Sequence, residues 1–72
     1  MTMEDMVERL ANRLKVSGSD PEGWLTLVRS YLSMGEKDKA IATIGNARQA
    51  LAADSDKLAQ FNKALAVYKI AE

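Results

Sequence analysis

Seventy-two residues make at most one small domain, whose core alone rarely supplies more than roughly 3–5 kcal/mol of stability. The absence of cysteine and histidine rules out a disulfide staple and a thiolate metal site, and removes the commonest general base and metal ligand. Ten basic residues balance ten acidic ones to a net charge of zero with the signs interleaved, unlike the one-sided basic field that nucleic acid or anionic lipid demands.

The first segment opens at Thr2, with Asp5 three residues later as a variant capping box. Met3, Met6, Val7, Leu10 and Leu14 follow at three- and four-residue steps and predict an amphipathic helix over 3–16. The methionines at 1, 3, 6 and 34 suit an adaptable binding surface, but Met3 and Met6 are expected instead to pack this helix onto the next. Gly18 is expected to take the left-handed conformation that closes helices. Asp20 before Pro21 predicts a new start, with a side-chain acceptor at the cap and then a residue that needs no backbone donor. Glu22 adds negative charge where the helix dipole favours it.

The second helix is predicted over 21–34, with Gly35 as its stop. A third, over 37–52, carries Ala40, Ile41, Ile44, Ala47 and Leu51 on one stripe. Gly45 inside it permits a close contact, permits a bend, or is simply tolerated at the surface. A fourth, over 56–70, is capped by Asp54 or Ser55 and presents Leu58, Phe61, Leu65 and Tyr68. No segment alternates with the two-residue period of a strand. The fold is therefore predicted to be all-α, with short connections turning the helices into antiparallel hairpins.

Trp24, Leu27 and Tyr31 share a face of the second helix, and Ala40, Ile44 and Ala47 share one of the third. Large residues opposite small ones let two helices interlock, with Trp24 and Tyr31 expected to wedge over Ala40 and Ala47. These positions, with Gly35, resemble one tetratricopeptide repeat spanning 21–54 within a single domain of 1–72. Helices 3–16 and 56–70 flank it. Ile44 stands where that family usually has an aromatic, Val28 where it has a small residue, and Ala52 where it has a proline. In this motif Trp24 is a packing knob rather than a binding aromatic.

A finer resemblance covers most of the chain. "MVERLANRL" followed by "SDPEGWLTLVRSYLSMGEKDKAI" is similar to the tetratricopeptide domain of bacterial cytochrome c maturation proteins of the CcmI/CycH type, although Gly18 replaces a proline. The resemblance implies a periplasmic chaperone domain, excised from an inner-membrane-anchored parent, that holds the C-terminal helix of apocytochrome c. It also implies groove-facing residues: Glu22, Leu25, Arg29, Leu32 and Ser33 on the second helix, and Asp56, Ala59, Lys63 and Val67 on the fourth.

The residues fit such a groove without the family. Leu25 and Leu32 lie about 100° from the Trp24–Leu27–Tyr31 stripe, and with Arg29 and Lys63 they suit an amphipathic helix bearing carboxylates. Competing readings are that both leucines merely widen the core, or that uncovered apolar ends drive weak self-association as a scaffold or homo-oligomer. "DSD" at 54–56 opens like a calcium loop, but Leu58 occupies the next ligand position and no glycine follows. Without a phosphate-binding glycine loop, a nucleophile with its base or a carboxylate pair, neither enzymatic activity nor a cofactor is expected.

Overall fold

The computed structural model describes residues 2–68. Four helices follow in order: α1 (Met3–Val16), α2 (Pro21–Ser33), α3 (Lys37–Leu51) and α4 (Ser55–Tyr68). The fold is all-α, as the periodicity predicts. Residues 69 and 70 of the expected fourth helix, and the side chain of Tyr68, lie outside the described residues.

Local chemistry accounts for most of the boundaries. At Thr2 the reciprocal box forms: the Asp5 amide donates to Thr2 Oγ1 at 3.2 Å, and the Thr2 amide donates to Asp5 Oδ2 at 3.3 Å. Gly35 ends α2 with a φ of +75°. Its amide donates to the Leu32 carbonyl at 3.1 Å, and the Glu36 amide donates to Tyr31 at 2.8 Å, the paired bonds of a Schellman turn. At α4, Asp54 Oδ1 accepts from the Lys57 amide at 3.2 Å, so the carboxylate that resembled a calcium ligand caps a helix.

Two expected caps work differently. Asp20 makes no side-chain bond to the first turn of α2. Its ψ is 96°, against 165° at Thr2, and its carboxylate lies instead 3.8 Å from the Arg13 guanidinium. Gly18 is not left-handed either; Gly35 is the positive-φ glycine among the described residues. What Gly18 supplies is closeness. A Cβ there would stand 3.0 Å from both the Ala50 Cβ and the Leu14 carbonyl oxygen. That proximity also lets the Gly18 carbonyl accept a 2.8 Å bond from the Trp24 indole N–H.

The core draws on all four helices. Val7 and Leu14 come from α1, Trp24, Leu27 and Val28 from α2, Ala40, Ile44, Ala47 and Leu51 from α3, and Phe61 and Leu65 from α4. Among the described residues, helix α2 packs against each of the other three, while α1 rests on α2 alone. Leu10, Tyr31, Met34 and Leu58 are half-buried at the margin of the core.

Four stripe positions depart from expectation. Met3 and Met6 are 54% and 60% exposed, so Val7 and Leu14 dock α1 while the methionines stand beside the joint. Ile41, 36% exposed, lies at the edge of α3, one residue step off the Ala40–Ile44–Ala47 line. Thr43 is buried in its place, and its hydroxyl is satisfied by donating to the Lys39 carbonyl at 2.8 Å. Tyr31 is only half-buried, so of the two aromatics on the α2 stripe Trp24, 5% exposed, is the one in the core.

Candidate functional site

The candidate groove residues sit on two helices that pack side by side, α2 and α4. Pro21 and the Schellman turn at Gly35 fix the length of α2, and with it the register of its outer face. On that face Glu22, Arg29 and Ser33 are exposed. Leu25 and Leu32 are half-buried and pack against the core, each leaving one edge at the surface. On α4, Asp56, Ala59 and Lys63 are exposed, and Val67 is 76% exposed.

The two sets are not equivalent in chemistry. The α2 set offers two apolar edges beside a guanidinium, whereas the α4 set is charged or small until Val67. Glu22 and Asp56 each occupy the first turn of their helix, where an acid complements the dipole whether or not anything binds. Arg29 and Ser33 lean toward α1: with Thr26 and Ser30 they share a shallow hollow that also includes Met3. The structure thus brings Arg29 and Ser33 beside the start of α1, and places Asp56, Ala59, Lys63 and Val67 along the solvent side of α4.

A second surface feature lies between α1 and α2. Met3, Met6, Val7 and Leu10 of α1 and Thr26 and Ser30 of α2 line an open, largely apolar groove. The hydroxyls do not make its wall polar, because both are turned back onto their own helix. Thr26 Oγ1 donates to the Glu22 carbonyl at 3.0 Å, and Ser30 Oγ donates to the Thr26 carbonyl at 2.8 Å. The signal was present in the spacing of Met3, Met6 and Leu10, but helical periodicity cannot distinguish a residue on the docked line from one beside it.

The motif residues divide in the same way. Trp24, Leu27, Ala40, Ile44 and Ala47 are all buried in the shared core, Gly35 makes the turn, and Tyr31 stands at the rim. Trp24 acts as a packing residue, with its one polar atom satisfied at Gly18.

These features define the class: an all-α protein of stacked helical hairpins, centred on α2, with amphipathic outer faces. Its relatives carry a specific name. Over 60 residues the chain is 57% identical to the cytochrome c-type biogenesis protein CycH of Bradyrhizobium diazoefficiens, a match covering 83% of this chain and 16% of that protein. Over 35 residues it is 49% identical to the CycH of Rhizobium meliloti, covering 49% of this chain and 9% of that one. The chain therefore spans about one sixth or less of the length of the curated relatives it matches. No family model matches it, and neither does any solved structure.

Proposed function

We propose that this chain is a protein-interaction module of the tetratricopeptide type that serves cytochrome c maturation, holding the C-terminal helix of an apocytochrome c along α2 and α4. By the same reading it works in the periplasm, as part of an inner-membrane-anchored protein, and is not an enzyme. The observation that carries the proposal is the 57% identity to CycH over 83% of the chain, joined to an outer α2 face where Leu25 and Leu32 keep apolar edges at the surface beside Arg29. An amphipathic helix laid there would cover the leucine edges with its apolar side. Its carboxylates would meet Arg29 and Lys63, each exposed pair contributing ~0.2–1 kcal/mol.

The test is to titrate isotope-labelled protein with a peptide copying an apocytochrome c C-terminal helix. Amide shifts concentrated in α2 and α4 are expected. Shifts absent at millimolar peptide would remove the proposal. A scaffold without a dedicated peptide groove, or one that self-associates, is the second reading, favoured by the exposed Met3 and Met6.

A further inference from the structure

The α2–α4 face has a direction as well as a position. The three-residue connections before α3 and before α4 reverse the chain twice, so α2 and α4 run the same way side by side. On each helix an exposed acid in the first turn is followed seven residues later by an exposed cation: Glu22 then Arg29, and Asp56 then Lys63. Seven residues are about two turns, so the two charges share one side of their helix, ~10.5 Å apart along its axis. The helix dipole accounts for the acids, but it favours no cation outside the last turn, and neither cation is there. Each full side-chain charge also exceeds the roughly half charge that the dipole of α2 or α4 places at the same end. Other charges close to the two starts are paired among themselves, Arg13 with Asp20 and Lys57 with Asp54. The face is therefore negative at its start and positive toward its end.

We propose that this face takes its helix in one direction only, parallel to α2, with a free C-terminal carboxylate at Arg29 and Lys63 and basic side chains at Glu22 and Asp56. The proposal rests on the peptide-holding reading above and adds to it the polarity of the client. A helix that ends in a free carboxylate is negative at that end twice over, through the carboxylate and through its own dipole, and its start is positive. Laid parallel to α2 it meets opposite charge at both ends, while its apolar side covers the Leu25 and Leu32 edges. Laid antiparallel it sets like charge on like at both ends.

Nitroxide labels on an apocytochrome c C-terminal helix peptide test the direction. A label at the peptide's start is expected to broaden amides near positions 22 and 56, and one at its end those near 29 and 63. The reverse pattern, or the same broadening from both labels, overturns the proposal while leaving peptide binding in place. Converting the peptide's terminal carboxylate to an amide is expected to weaken binding roughly two- to fivefold. The double variant Arg29→Gln with Lys63→Gln, at two exposed positions, is expected to keep its helical spectrum and to bind acid and amide alike. Equal affinity of acid and amide for the unsubstituted protein, or an amide penalty that survives the double variant, also overturns it. A peptide that binds nowhere removes the direction and the peptide-holding reading together.

Discussion

Gly35 and Gly45 show how one residue type plays opposite parts within eleven positions. Gly35 carries the +75° φ that lets the Schellman turn return two amides to Leu32 and Tyr31. A Cβ there meets nothing, so the penalty for alanine is conformational: Gly35→Ala is expected to destabilise the fold by about 1 kcal/mol. At Gly45, mid-helix and exposed, a Cβ also meets open space, but the backbone is ordinary helix. Neither close contact nor steric need explains this glycine, and Gly45→Ala is expected to stabilise by up to about 1 kcal/mol. Thermal melts of the two variants should move in opposite directions, by roughly 4–8 °C per kcal/mol in a domain of this size. Trp24 offers a third single-residue test. Trp24→Phe keeps an aromatic ring but leaves the Gly18 carbonyl without its donor, so about 1 kcal/mol should be lost.

The four helices are unequally secured. Helix α2 touches each of the other three helices, whereas α1 is held by Val7 and Leu14 on one partner and by the Thr2–Asp5 box at its start. Ion pairs add little, since Arg13–Asp20, Glu36–Lys39 and Asp54–Lys57 are all solvent-exposed, in the range where such pairs contribute ~0–1 kcal/mol. Amide exchange is therefore expected to be slowest in α2 and fastest in α1. Thr2→Ala removes the acceptor for the Asp5 amide and should weaken the fold by ~0.5–2 kcal/mol. If α1 exchanges as slowly as α2 in dilute protein, something other than α2 holds it.

At the scale of the molecule, core and surface separate cleanly enough to be tested against each other. Trp24 links the α1–α2 loop to the shared core, and Trp24→Ala should remove ~3–5 kcal/mol, about the whole stability available to a chain this short. The double charge reversal Arg29→Glu with Lys63→Glu should keep the helical spectrum and melting temperature while weakening peptide binding several-fold. Equal loss of structure in both variants would mean that scaffold and groove are not distinct. This division was partly legible in the sequence. Trp24, Leu27, Ala40, Ile44 and Ala47 were marked as core by their spacing, and all are buried. Tyr31, on the same stripe, reaches only the rim. The outer residues of α2 and α4 were legible as positions, but not in how they divide: Arg29 and Ser33 border α1, and the leucines are shared with the core.

The sequence by itself determined the four helices and several of their boundaries. Those outcomes depend on chemistry within a few residues: the Thr2–Asp5 box, Pro21 at a first turn, the left-handed Gly35 and the Asp54 cap. Tertiary structure decided which side of each apolar stripe became interior. A stripe spans more arc than one neighbour covers, and only the docking of α1 on α2 chose Val7 and Leu14 over Met3 and Met6. It also fixed the purpose of Gly18. The need for a bare Cα there arises because Ala50, thirty-two positions later in the chain, comes to lie against it, and no local rule carries that information.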